Sequence, residues 1–131
     1  MTELTDNARS LFAAKNLAWA TTIRADGSPH NTIVWADVEG DVVIFNTAVG
    51  RAKEKHLRAN PSISLSVLDP DNAGRFASVS GAAEFSTDDG VEIIEALSHK
   101  YTGGPYGGHV EGEQRITIRV KPVKLVEQTG W

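Results

Sequence analysis

Between Leu17 and Thr47 the chain reverses direction twice within very few residues, at Asp26-Gly27 and at Glu39-Gly40-Asp41, and alternating residues flank each reversal. Asp-Gly suits a type I′ turn, because both central residues of that turn need positive φ. Leu17, Trp19, Thr21 and Ile23 alternate up to the first turn, which predicts a strand over residues 17–24. Partner strands follow over residues 29–38 and 42–47. Strands joined by such short turns must be antiparallel, since a parallel pair needs a long crossover.

The remaining elements extend this meander. Leu4, Ala8, Leu11 and Phe12 recur at helical spacing behind Thr2 or Thr5 as a cap, and Asn16 marks a stop. Gly50 breaks the third strand, and residues 51–59 are helix formers until Asn60-Pro61. Ile63, Leu65 and Val67 alternate with Ser62, Ser64 and Ser66, which predicts a strand with one polar face. After a loop at 69–74, residues 75–85 resume strand character, with Gly81 predicting a bulge. Thr87-Asp88-Asp89 is expected to cap a helix carrying Val91, Ile94, Leu97 and Tyr101 on one face. Residues 102–112 hold five glycines and one proline and read as a loop. Ile116, Ile118 and Val120 begin a last strand that continues past Pro122 to about residue 126. Six strands and three helices predict a mainly β fold with some α, an antiparallel barrel rather than a parallel α/β sheet.

Size and composition set outer limits. The 131 residues fit one domain, 1–131, and a chain of this length buries roughly two-thirds of its unfolded surface, so it can fold without metals or disulfides. Cysteine is absent, which removes thiolate chemistry and fits a cytoplasmic protein. Glu3 and Asp6 precede any apolar run, the wrong order for a secretion signal. The apolar-leaning stretch 17–23 is far short of the roughly 20 residues of a membrane span, so no membrane partner is expected.

A net charge of -4 argues against general nucleic-acid binding, yet Arg51, Lys53, Lys55 and Arg58 cluster with only Glu54 among them. Such a patch suits a small phosphorylated ligand. The sharpest candidate is Thr47-Ala48-Val49-Gly50-Arg51-Ala52-Lys53, where a strand ends, a glycine turns the chain and a helix begins. Helix N-terminal amides lack internal partners and carry positive partial charge, which favours an anion. The competing reading makes Arg51, Lys55 and Arg58 one solvated helix face, since they recur at i, i+4 and i+7.

Other signals carry less. His30, His56, His99 and His109 lack ligand spacing, so no metal site is expected. Trp19 and Trp35 read as core aromatics, with Trp35 also placed to line a pocket. The glycine-rich segment with Tyr106 and His109 is readable either as a lid over a substrate or as a loose connection.

The ordered strings Asp26-Gly27-Ser28-Pro29-His30, Val34-Trp35, Val43-Ile44-Phe45-Asn46-Thr47, Gly50-Arg51-Ala52-Lys53, Leu57 and Asn60-Pro61 resemble the pyridoxamine 5'-phosphate oxidase-like split-barrel superfamily, in particular its small members that use the deazaflavin F420. Val79-Ser80-Gly81-Ala82-Ala83 and Lys100-Tyr101-Thr102-Gly103 continue the likeness. The resemblance implies a six-stranded split β-barrel homodimer with two cofactor sites at the subunit interface. It implies a ring lying along Asn31, Thr32, Ile33, Val34 and Trp35, and a phosphate held by Asn46, Thr47, Gly50, Arg51, Ala52 and Lys53, with Phe76 also near the cofactor. The implied cofactor is F420 (8-hydroxy-5-deazaflavin) or FMN, serving hydride transfer to a small organic substrate. True pyridoxamine phosphate oxidases add a basic C-terminal segment, whereas this sequence stops at Gly130-Trp131, so their oxidase activity is not expected here. A barrel that stores a cofactor or haem without catalysis is the alternative outside enzymology.

Overall fold

The computed structural model describes residues 2–131. Its elements in chain order are α1 (Asp6–Ala13), β1 (Ala18–Ile23), β2 (Pro29–Val34), β3 (Asp37–Glu39), β4 (Val42–Ala48), α2 (Ala52–Ala59), β5 (Ser62–Leu68), β6 (Arg75–Ser86), α3 (Gly90–Thr102) and β7 (Arg115–Thr129). The strands form one antiparallel sheet of seven in the order β2-β1-β5-β6-β7-β4-β3. β2 and β3 are the two edges, yet only Trp35 and Ala36 separate them in the chain. Three Cα steps span at most about 11 Å. The sheet is therefore rolled until its edges meet at residues 35–36, although no ladder closes the seam.

The strand count is seven rather than the expected six because residues 29–38 do not run through as one strand. The cause lies in α3. The Tyr101 hydroxyl accepts from the Ala36 N–H at 3.1 Å, and Lys100 Nζ donates to the Ala36 carbonyl at 2.5 Å. Side chains thus take the main-chain groups that a neighbouring strand would have used.

Inward residues fill the roll. Phe45, Leu65, Val79, Ile116 and Ile118 are fully buried, and α1 adds Ala8, Leu11 and Phe12 to the same cluster. Thr5 caps α1 as expected, accepting from the Ala8 N–H at 3.1 Å. Asp89 does not cap α3. Its carboxylate instead takes Arg119 Nη2 at 2.5 Å. The predicted bulge is present as a register shift between Ser80 and Gly81, where a Cβ would lie 2.2 Å from the Lys121 carbonyl oxygen. Only glycine fits so close an approach.

Among the described residues no helix is long and apolar enough to cross a membrane.

Candidate functional site

The corner between β4 and α2 opens on a cleft of about 280 Å³ lined by Ile33, Val34, Trp35, Asn46, Thr47, Arg51, Lys53, Ile94, Leu97 and Tyr106. Its cationic end is built locally. Gly50 takes φ +92, which lets the chain turn off the strand, and Arg51 is the extended N-cap of α2 with no side-chain cap of its own. Glu54, one turn in and buried, accepts from the Gly50 N–H at 3.0 Å. That glycine amide is therefore committed to the turn, and Gly50 serves by its conformation. Ala52 sits exposed in the first turn and is not among the lining residues.

The two predicted cations differ. Arg51 Nη2 pairs with Glu113 at 3.0 Å, and the same carboxylate takes Arg115 Nη1 at 3.0 Å. Lys53 is half-buried and makes no hydrogen bond or ion pair among the described residues. Burial, followed by the nearby charges of Arg51 and Arg115, holds its ammonium below the usual lysine range. Hydrogen bonding to Arg115 holds the Glu113 carboxyl down in turn. Thr47, a residue only 2 % exposed, lines the same end of the cleft. A half-buried cation without a partner among the described residues, beside a helix N-terminus and the Thr47 side chain, fits an incoming anion.

Asn46 is a brace. Its Nδ2 donates to the Gly90 carbonyl at 2.8 Å and its Oδ1 accepts from Arg115 Nε at 2.9 Å, so it ties β4 to the start of α3 and to β7.

The apolar end is aromatic. Trp35 stacks on Tyr101, with centroids 5.6 Å apart and planes 8° apart, and meets Tyr106 edge-on at 6.2 Å. Beside it runs the free edge of β2. The Arg24 N–H bonds to the Ser28 carbonyl, and alternation from that pair along β1 and β2 turns the main-chain groups of Asn31 and Ile33 outward. Thr32 Oγ1 and His30 Nδ1 are buried there without a partner.

Of the residues named from the sequence, Ile33, Val34, Trp35, Asn46, Thr47, Arg51 and Lys53 come together around the cleft. Asn31 and Thr32 precede Ile33 on β2 and are not among the lining residues; the Asn31 carboxamide oxygen accepts from the Thr21 hydroxyl on β1. Phe76 does not reach it, since it lies in β6 between Leu68 and Gln128. Lys55 is exposed, and Arg58 pairs with Glu54 at 3.6 Å while lying 3.9 Å over Phe85, so these two form the solvated face of the competing reading. Ile94, Leu97, Glu113 and Arg115 were not foreseen as site residues. Basic and acidic positions at a strand start, Glu113 and Arg115, were the available signal.

A rolled antiparallel sheet with a cationic strand-to-helix corner beside a free strand edge defines a split-barrel protein. The sequence profile of pyridoxamine 5'-phosphate oxidase matches residues 4–127, and the chain belongs to that family. A biliverdin reductase of Mycobacterium tuberculosis (strain CDC 1551 / Oshkosh) that depends on reduced F420 is 31% identical over 100 residues, 76% of this chain and 71% of that protein. A solved F420 reductase superposes with TM-score 0.84 at 28% identity, covering 94% of this chain and 98% of its own. A conserved hypothetical protein of Mycobacterium tuberculosis shares the fold at TM-score 0.76 and 20% identity, over 98% of this chain and 90% of its own.

Proposed function

We propose that this protein is an oxidoreductase that holds the deazaflavin F420 in the cleft and transfers hydride between it and a small, electron-poor organic substrate. Lys53 carries the reading. It is a half-buried ammonium that pairs with no carboxylate among the described residues, in the first turn of α2 and beside Thr47. A monoanionic or dianionic phosphate supplies the missing partner, and each charge-assisted hydrogen bond adds about 1.5 to 3 kcal/mol.

The bound deazaflavin would supply two-electron hydride chemistry at its ring. The residues of the chain do the rest. Lys53, Arg51, Thr47 and the first-turn amides of α2 fix the phosphate. The outward main-chain groups of Asn31 and Ile33 offer hydrogen bonds to the polar edge of a flat heterocycle, and Ile33, Val34, Trp35, Ile94 and Leu97 exclude water from it. Orientation then comes from two fixed ends, with no side-chain nucleophile required. FMN would offer a phosphate monoester to the same corner and is the second reading, supported by the family. The two F420-dependent relatives favour the deazaflavin.

The working unit of this reading is a homodimer. Ile33, Trp19, Ser66, Ser78 and Val126 are successive cross-strand partners from β2 to β7 and so share one outer face. Trp19, Ile33 and Val126 on it are each at least half exposed, and short serines keep its centre flat. Phe76 stands on this same face, so its route to a cofactor runs through a second copy. Ile33 belongs to both the face and the cleft, which supports a subunit contact beside the ring.

Titration of the protein with F420 and separately with FMN, followed by the fluorescence of each, tests the reading. Saturable binding of F420 tighter than FMN is expected. Binding of neither would overturn it.

A further inference from the structure

Lys53 is not the only basic side chain on its side of α2. His56 follows at i+3, so the two share one face of the helix. His56 Nδ1 lies 2.9 Å from the hydroxyl of Thr22, a residue wholly buried on β1. Thr22 is the cross-strand partner of His30, and the His30 ring meets the His56 ring edge-on at 4.9 Å. His30 thus stands where the edge strand β2 meets the Lys53 face of α2.

The two rings are held differently. His56 has its Nδ1 engaged by a hydroxyl. His30 Nδ1 is buried without a partner among the described residues, and so is Thr32 Oγ1, two residues along on the same side of β2. The charged groups that bear on His30 are all basic: Arg24, just past β1, and His56 and Lys53 on α2. Burial first, and then these neighbours, hold the ring below the ordinary histidine value. Around neutral pH the ring of the free protein is therefore uncharged. Of the three neighbours only Lys53 lines the cleft, so Lys53 is the link through which a ligand is felt.

We propose that His30 is a positioning residue of the anion grip, and that through Lys53 it couples the binding of an anion to the uptake of one proton from solvent. The inference rests on the phosphate reading of the corner and adds its regulation. An anion beside Lys53 offsets a charge that opposes protonation of His30. By reciprocity, a protonated His30 strengthens the hold on the anion. The uncommitted Nδ1 leaves the ring free to gain the proton, with the Thr32 hydroxyl at hand on the same side of the strand. The free protein has its His30 midpoint below 6.5, and the complex has a higher one. Affinity is therefore greatest below the free-protein midpoint, falls as pH rises between the two, and is level above the second, where Lys53 and Arg51 hold the anion alone.

Inorganic sulfate is the probe, because it keeps both charges over the range of about pH 5 to 8 in which histidine titrates. Its binding to the full-length protein should tighten by about threefold or more from the upper to the lower end of that range. The His30 ring, followed by NMR, should titrate higher in the sulfate complex by about half a pH unit, the same threefold seen from the other side. His30→Gln should still bind sulfate but lose most of the pH dependence, whereas a packing role alone would change affinity equally at every pH. Without any ligand, Lys53→Ala should raise the His30 midpoint, since it removes an opposing charge. Equal pH dependence in wild type and His30→Gln overturns the proposal, as does a His30 midpoint that Lys53→Ala leaves in place. Sulfate binding that is level across the range removes the proton coupling and leaves the phosphate reading standing. No binding of sulfate by the wild type at any pH removes the grip itself, and the coupling with it.

Discussion

The corner at residues 46–53 and the segment at residues 103–113 both border the cleft, but they are held in different ways. The corner rests on the core: Phe45 and Leu57 flank it and are almost fully buried, and its turn is closed by a contact four residues away, Glu54 to Gly50. The segment has no core beneath it. It is held from outside, by Glu95 on α3 and by Arg115 on β7. A site can thus combine a rigid anion grip with a wall whose position depends on a few polar contacts.

The largest expected effect separates the two by stability. Phe45→Ala should lower the free energy of unfolding by about 3 to 5 kcal/mol in a denaturant titration, whereas Glu95→Ala should lower it by under about 1 kcal/mol. A comparable loss in both would mean that the segment is part of the same cooperative core. Next comes the shared carboxylate. Glu113→Gln frees Arg51 from its ion pair and should tighten F420 binding by about threefold to tenfold, read in the same fluorescence titration. Weaker binding instead would show that Glu113 positions Arg51 rather than competing for it.

A smaller effect follows from Lys53. Its ammonium is held below the ordinary lysine value of 10.5 in the free protein, and a bound anion favours the charged form. The share of the affinity due to Lys53 should therefore be complete below its free-protein pKa and fall as pH rises through it, starting on the acid side of 10.5. Lys53→Arg, which stays charged throughout, should flatten that decline. The same alkaline decline in Lys53→Arg would assign the titration to another group.

These two regions also mark what the residues reveal in order. The cross-strand pairings, the Gly81 bulge and the Gly50 corner depend on neighbours a few positions away, and each is where local chemistry places it. The chain reverses at Asp26-Gly27 as expected, but not through a type I′ turn: Gly27 alone takes positive φ, +85, and its N–H bonds to the Arg24 carbonyl. Trp19 is not a core aromatic either, since it is 53% exposed on β1, whose buried face is Ala18, Ala20 and Thr22. The break at residues 35–36 was invisible because Lys100 and Tyr101, over 60 residues later, cause it. Asp89 reads as a cap until Arg119 arrives from β7. Likewise five glycines suggest a loose connection over residues 102–112, and nothing nearby in the chain indicates that Glu95 fastens it. Arg51 and Lys53 look equivalent in sequence, and only the fold shows Glu113 bound to one of them.

The most direct measurement is a calorimetric titration of wild type and Lys53→Ala with F420 under one buffer and salt condition. The predicted result is a loss of at least about tenfold in affinity, or 1.4 kcal/mol, with the thermal midpoint of the protein unchanged. Equal affinity in the two proteins would contradict the phosphate grip at the β4–α2 corner.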